Sequence, residues 1–157
     1  MALRVGQTAP DFDVVASSGE RLKLSELIGK KNVVLYFYPG DFTPICTKET
    51  CGFRDAYSEL AGKDTEVIGV SVDSDESHRK FADKYGISFA LVSDENKALA
   101  RSYGATSLFR DLMGKTGRIT YVIDKKGLIA GVFQGELSAK KHVEGARDLI
   151  AKIEAAT

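Results

Sequence analysis

Both cysteines of the chain lie in one short stretch, Y-P-G-D-F-T-P-I-C-T-K-E-T-C, where Cys46 and Cys51 are five positions apart. Thr43 and Pro44 indicate the start of a helix, because a threonine hydroxyl can cap a helix and proline needs no N–H group in the first turn. Cys46 then lies in that first turn, where unpaired N–H groups and the helix dipole favour its thiolate. We therefore expect Cys46 to be the more reactive sulfur.

The spacing of the two cysteines determines whether they can form a disulfide without a change of backbone. If one intact helix holds both, their Cα atoms are roughly 8.6 Å apart. A disulfide needs a separation below about 7 Å. A bond between Cys46 and Cys51 would therefore require local unwinding and would act as a switch between two backbone states. A permanent disulfide would require a segment that is not helical, which the spacing of Phe53, Tyr57 and Leu60 opposes.

Two other roles for the cysteines are open at this point. Buried cysteines often serve only as small apolar side chains, although Cys46 lies beside a Pro-Gly turn and a helix start rather than on the apolar stripe of the helix. A metal site would need further ligands, and the only histidines, His78 and His142, are not at ligand spacing from the cysteines. We expect no metal and no other cofactor.

Arg118, in G-R-I-T-Y-V-I-D, is a second candidate for chemistry. Strand alternation places Arg118 and Thr120 on one face and Ile119 and Tyr121 on the other. An arginine at the start of a strand is usually a solvated charge. Near a helix-capped cysteine it could instead hold the thiolate and orient an oxygen substrate through its fork of donors. Spacing alone leaves both roles open.

Composition limits the size of the protein and its partners. The 157 residues are 43% hydrophobic and 28% charged, which predicts one domain over residues 1–157 with one buried core. There are 22 basic and 22 acidic residues, with no block of like charge and no apolar run of membrane length, so we expect neither nucleic acid nor a membrane as partner. The N-terminus lacks a secretory signal and cysteines are few, which predicts a cytoplasmic protein.

The hydrophobic pattern predicts the elements that position these residues. Strands are expected at 12–16 and 21–24, as an N-terminal hairpin, and at 32–38, 66–72, 89–92, 119–124 and 128–133. Helices are expected from Thr43 to about Leu60, at 77–85, at 95–103, and from Ser138 to about Glu154. The order predicts an α/β protein with a thioredoxin-like fold, in which helices flank a central mixed β-sheet.

The cysteine stretch resembles the peroxiredoxin signature P-x-x-x-T-x-x-C, with Pro39, Thr43 and Cys46 at the matching positions. A second cysteine five positions on, in C-T-K-E-T-C, is similar to the bacterioferritin-comigratory or Q-type (atypical 2-Cys) subfamily. The similarity continues through F-R-D, V-I-G-V-S-V-D, F-A-D-K-Y-G-I, S-D-E-N and R-I-T-Y-V-I-D-K-K-G, and so covers nearly the whole chain.

The resemblance implies a peroxidase that reduces hydrogen peroxide and alkyl hydroperoxides. Cys46 would be the peroxidatic nucleophile, oxidised to a sulfenic acid, and Cys51 would resolve that acid as an intramolecular disulfide. Thioredoxin or a glutaredoxin-like dithiol would then reduce the disulfide. Q-type relatives are often monomers, so a monomer is expected.

The resemblance also implies roles for the residues around the thiolate. Thr43 and Arg118 would hydrogen-bond the thiolate and the peroxide, which stabilises charge on the leaving oxygen. Pro39 would shield the pocket from water, and Glu49 would support Arg118.

Two rival functions use the same cysteines. A thiol-disulfide oxidoreductase would normally show C-x-x-C at the helix start, whereas four residues separate the cysteines here. A redox sensor or holdase would use the disulfide switch without catalytic turnover. Sustained turnover with a thioredoxin system would distinguish the enzyme from the sensor.

Overall fold

The computed structural model describes residues 2–105, 118–134 and 139–156. Its strands are β1 (Asp13–Val15), β2 (Arg21–Lys23), β3 (Asn32–Phe37), β4 (Thr65–Ser71), β5 (Ala90–Ser93), β6 (Ile119–Ile123) and β7 (Ile129–Gln134). Its helices are α1 (Leu24–Leu27), α2 (Pro44–Ala61), α3 (Asp75–Tyr85), α4 (Ala98–Ser102) and α5 (Ala139–Ala155). No helix in these ranges is both long and apolar enough to cross a membrane.

A five-stranded mixed sheet lies at the centre, in the spatial order β5-β4-β3-β6-β7. Strands β3, β4 and β5 are parallel, whereas β6 runs antiparallel to both β3 and β7. Strands β1 and β2 form the predicted N-terminal hairpin. This is the mixed α/β architecture expected from the sequence.

Strand β3 is buried along its whole length, as its run of β-branched and aromatic residues predicts. Val33, Leu35 and Phe37 join an apolar cluster with the N-terminal hairpin and α4. Val34 and Tyr36 join a second cluster on the other face, with α2, α3 and α5. Both faces of the sheet are therefore covered, and the second cluster is the one that contains Cys46.

Helix boundaries differ from the predictions where a side chain caps the helix. Helix α3 begins at Asp75, two residues before its predicted start, because the Ser74 hydroxyl accepts the N–H of Ser77 at 3.1 Å. Helix α4 is shorter than the predicted 95–103, because Asp94 accepts the N–H groups of Leu99 and Ala100 at 3.1 and 2.9 Å. The predicted N-cap of the last helix, Ser138, lies outside the described residues.

The start of α2 agrees with the sequence in position but not in its cap. Pro44 is the first helical residue, and the carbonyl of Thr43 accepts the N–H of Thr47 at 2.8 Å. The Thr43 hydroxyl makes no capping bond and instead donates to the carbonyl of Gly40 at 3.0 Å. The expected hydroxyl cap is therefore wrong, because the side chain turns back to the loop before the helix.

Candidate active site

Cys46 lies in the first turn of α2, with 1% of its surface exposed. Nη2 of Arg118 donates to its sulfur at 2.9 Å. Arg118 is itself buried, so its role as a solvated charge, left open by the sequence, is wrong. The guanidinium therefore places a positive charge and a hydrogen-bond donor directly beside the sulfur of Cys46.

Strand alternation places Arg118 on the face of the sheet that packs against Cys46. Thr120 and Val122 follow it at two-residue intervals, and Val122 packs in the cluster that contains Cys46. Tyr121 points to the opposite face and joins the other cluster. The predicted division of faces along β6 is therefore confirmed.

Glu49 lies nearly one turn after Cys46 in α2, and its side chain is completely buried. Nη1 of Arg118 donates to its Oε1 at 2.5 Å, so one guanidinium serves both the sulfur and the carboxylate. Burial raises the pKa of Glu49 to about 7, against the opposing effects of Arg118 and Thr120. Glu49 and the sulfur of Cys46 therefore share the charge of one guanidinium.

Two further residues complete the polar network behind Glu49. Oε2 of Glu49 lies 3.5 Å from the Thr120 hydroxyl and 3.4 Å from Nδ1 of His142, and those two partners are 2.6 Å apart. All of these groups are buried. The sequence placed Thr120 on the face of Arg118 but assigned it no role, and considered His142 only as a metal ligand. The signal for His142 was its position on the buried stripe of α5 with Ala146 and Ile150.

Thr43 and Pro39 lie at the edge of this site. Thr43 is exposed and Pro39 is half-buried. Among the hydrogen bonds of the described residues, none joins Thr43 to Cys46. The structure thus brings Cys46, Glu49 and Arg118 into direct contact and leaves Thr43 bonded to the preceding loop.

The loop before α2 is fixed by a second buried network that the sequence did not reveal. Asp41 accepts the Tyr38 hydroxyl at 2.6 Å through Oδ1, and its Oδ2 lies 2.7 Å from Nδ1 of His78. The N–H of Asp41 donates to Asp73 at 2.8 Å. His78 lies three residues before Phe81 on the buried face of α3, a position that indicates a hydrogen-bonded core histidine. This network fixes the loop that leads to Cys46.

Cys51 is half-buried and, like Cys46, is a free thiol in the same intact helix. Burial raises the pKa of the Cys51 thiol, with Arg54 opposing and Asp55 adding to the shift. The next residue toward Cys46, Thr50, hydrogen-bonds the Tyr36 hydroxyl at 3.0 Å. In the folded helix Cys51 is therefore held as a thiol, out of reach of Cys46 by the helix geometry.

Within the part of the chain that the structure describes, no group of three or more His, Cys, Asp or Glu side chains is arranged to hold a metal ion.

Comparison with known proteins gives a consistent set of relatives. A model described as the AhpC/TSA family matches residues 5–132. The chain is 41% identical over 149 residues to a chloroplastic peroxiredoxin Q of Sedum lineare, covering 94% of this chain and 78% of that protein. It is 43% identical over 137 residues to a Coxiella burnetii protein named peroxiredoxin bcp, covering 85% and 89%. The crystal structure of peroxidoxin BcpB from Mycobacterium tuberculosis matches with a TM-score of 0.87 at 32% identity, covering 96% and 98%.

Replacing Glu49 by glutamine is expected to change how stability depends on pH. Burial raises the pKa of Glu49 from 4.5 to about 7, so the unfolded chain releases this proton at lower pH than the folded protein. The wild type therefore loses stability as pH rises through that window. The free energy of unfolding of Glu49→Gln minus that of the wild type should rise over the same window, by at most about 1.4 kcal/mol per pH unit. Urea unfolding of the reduced proteins across this pH window measures the difference in free energy of unfolding.

Glu59→Gln is the matched control on the same helix. Its carboxyl is exposed, and the hydrogen bond from Arg147 lowers the pKa of Glu59. Because that shift acts below the ordinary pKa of 4.5, the corresponding difference for Glu59→Gln should fall only as pH rises toward 4.5 and stay level between pH 4.5 and 7. A difference for Glu49→Gln that falls over pH 4.5 to 7 would contradict the prediction and would mean that the attraction of Arg118 outweighs the burial of Glu49.

Proposed function

The chain belongs to the AhpC/TSA family of peroxiredoxins and is a thiol-dependent peroxidase, and from this premise we propose that Cys46 is its peroxidatic cysteine and Cys51 its resolving cysteine. The observation that carries the proposal is the 2.9 Å contact between Arg118 and the sulfur of Cys46 in a buried site. Cys51 is the other cysteine of the chain, and burial holds it as a thiol in the folded helix.

In the first half of the reaction, the Cys46 thiolate attacks the near oxygen of a hydroperoxide. An S–O bond forms, the O–O bond breaks, and the leaving oxygen takes a proton to become water or an alcohol. The sulfur is left as a sulfenic acid. Because a thiolate is needed, the guanidinium beside Cys46 promotes the reaction before peroxide arrives.

Arg118 is proposed to act on the peroxide as well as on the sulfur. Nη1 and Nη2 are engaged by Glu49 and Cys46, but the buried Nε–H has no hydrogen-bond partner among the described residues. This donor would stabilise the charge that develops on the leaving oxygen. Thr43 is proposed to contribute its hydroxyl by rotating away from Gly40, and Pro39 to limit the access of water.

In the second half, Cys51 attacks the sulfenic sulfur of Cys46. The S–S bond forms and the hydroxyl leaves as water, so no external oxidant is needed. Because both cysteines lie in α2, roughly 8.6 Å apart at Cα by helix geometry, the segment between them must first unwind. Unwinding also exposes Cys51, which removes the burial that disfavours its thiolate.

The family uses a thiol reductant, and we propose that a dithiol protein of the thioredoxin or glutaredoxin type serves here. The disulfide would be reduced in the unwound state, where the sulfurs are accessible to a partner. We propose that the protein acts as a monomer, since one chain supplies both cysteines. We also propose that it acts in the cytoplasm.

Peroxide titration with cysteine variants tests the assignment of the two sulfurs. One equivalent of hydrogen peroxide should remove both thiols of the wild type, orders of magnitude faster than it oxidises free cysteine and without forming covalent dimers. Cys51→Ser should be oxidised equally fast but stop at a sulfenic acid that dimedone traps. Cys46→Ser should react no faster than free cysteine. Quenched-flow alkylation with intact mass analysis measures all three.

Two results would contradict this assignment. Fast thiol loss in Cys46→Ser would move the reactive sulfur to Cys51. Wild-type oxidation no faster than free cysteine would mean that the site does not activate Cys46. A single oxidation without turnover, in the presence of a thioredoxin system, would favour a redox sensor.

Replacing Arg118 by methionine tests the contribution of the guanidinium. Loss of a preorganised donor to the reacting group costs roughly 100-fold to 1,000-fold in rate, so the second-order rate constant with peroxide should fall by about 100-fold or more in a Cys51→Ser background. Arg54→Met is the matched control, since Arg54 lies on α2 but bonds Asp55 and the carbonyl of Tyr85. An equal fall in both variants, or none in Arg118→Met, would contradict the role of Arg118.

A further inference from the structure

Glu49 is placed where it must move during the reaction cycle. It lies three residues after Cys46 and two before Cys51, within the segment that unwinds before the disulfide can form. Its partners lie outside that segment. Arg118 immediately precedes β6, Thr120 lies in β6, and His142 lies in α5. Unwinding therefore breaks every contact that joins Glu49 to these two elements.

His142 is a member of this network to which the proposed catalytic chemistry gives no role. It is 1% exposed, and the apolar stripe of α5 holds it against the sheet. Its Nδ1 is 2.6 Å from the Thr120 hydroxyl and 3.4 Å from Oε2 of Glu49. When Glu49 departs, the contact between Thr120 and His142 can persist, so both remain in place for the helix to refold against.

The part of α2 beyond Cys51 is held separately. A Cβ atom added at Gly52 would lie 2.9 Å from Cγ2 of Val143, so the backbone of α2 packs closely on α5 at that point. Phe53, the next residue, is completely buried. Helix α5 thus contacts both the segment that must unwind, through His142, and the segment that stays, through Val143.

We propose that His142 is a positioning residue that acts through Glu49 to hold the turn between Cys46 and Cys51 folded, and so sets the rate of disulfide formation. The inference rests on the proposed roles of the two cysteines. It assigns His142 no part in the attack on peroxide, since the contacts described for it are with Thr120 and Glu49.

The rate of unwinding determines how long the sulfenic acid of Cys46 survives. A second hydroperoxide can oxidise it to a sulfinic acid, with formation of another S–O bond, cleavage of the O–O bond and release of water or an alcohol. Disulfide formation competes with this step. A network that holds the turn folded therefore makes the protein more sensitive to excess peroxide, and its loss should make the protein more resistant.

Three variants separate positioning from general loss of stability. His142→Leu fills the same position on the buried stripe with an apolar side chain of similar size and removes the polar contacts. His142→Asn places an amide nitrogen near the position of Nδ1 and should restore part of the effect. Ile150→Val is the control, because Ile150 lies on the same stripe two turns on, is completely buried, and is outside the polar network.

Two rates are measured for each variant. The peroxide step is followed in a Cys51→Ser background by dimedone trapping, and the disulfide step is followed with both cysteines present by quenched alkylation and intact mass. His142→Leu loses the hydrogen bond to Thr120, which itself donates to Glu49, and the 3.4 Å contact with Glu49. If this support equals about one net hydrogen bond, the disulfide step should speed up roughly fivefold or more. The peroxide step should change by less than about threefold, and the sulfinic fraction at high peroxide should fall. His142→Asn should lie between His142→Leu and the wild type, and Ile150→Val should lie near the wild type.

The proposal is overturned if His142→Leu forms its disulfide no faster than the wild type, or if Ile150→Val speeds the step equally. It is also overturned if the peroxide step changes as much as the disulfide step, since His142 would then support the whole site. Failure of the wild type to form the disulfide overturns the roles of the cysteines first. A normal wild-type disulfide with an unaffected His142→Leu overturns this inference alone.

Discussion

The buried guanidinium of Arg118 is shared between two acidic groups on one helix, the thiol of Cys46 and the carboxyl of Glu49. Removing three ionisable groups from water is costly unless they satisfy one another. They do so only while the first turns of α2 are formed, because the helix brings the sulfur and the carboxylate to the same guanidinium. At Glu49, burial raises the pKa to about 7 even though the guanidinium of Arg118 acts in the opposite direction.

The same helix that builds the site keeps the second sulfur away from it. Cys51 cannot approach Cys46 while the intervening turn is intact, so the disulfide that we propose requires a second backbone state. The structure limits where the change occurs. Upstream, Asp41 fixes the loop through Tyr38, Asp73 and His78, and downstream, α5 packs on α2 at Gly52. We therefore expect the rearrangement in the segment of α2 between these two anchors.

The sequence predicted most of the fold, because strands and helices depend on local periodicity. The contact between Arg118 and Cys46 was implied only by the resemblance, since spacing left the role of Arg118 open. The strands, the start of α2 and the face of Arg118 followed from patterns within a few residues. The short α4 did not, because the Asp94 side chain fixes its start. The pairing of His142 with Thr120, and of His78 with Asp41, joins residues 22 and 37 positions apart. The spacing of residues along the sequence carries no signal for contacts between such distant positions. The helical pattern does indicate that each histidine lies on a buried face.

Hydrogen exchange on the reduced and the disulfide protein measures whether α2 unwinds between the cysteines when the disulfide forms. We expect amides of residues 45–51 to lose most of their protection in the disulfide form, while amides of residues 53–61, in the same helix, keep theirs. Equal protection of residues 45–51 in the two forms would mean that α2 does not unwind there and that these cysteines are not joined, because an intact helix cannot contain this disulfide.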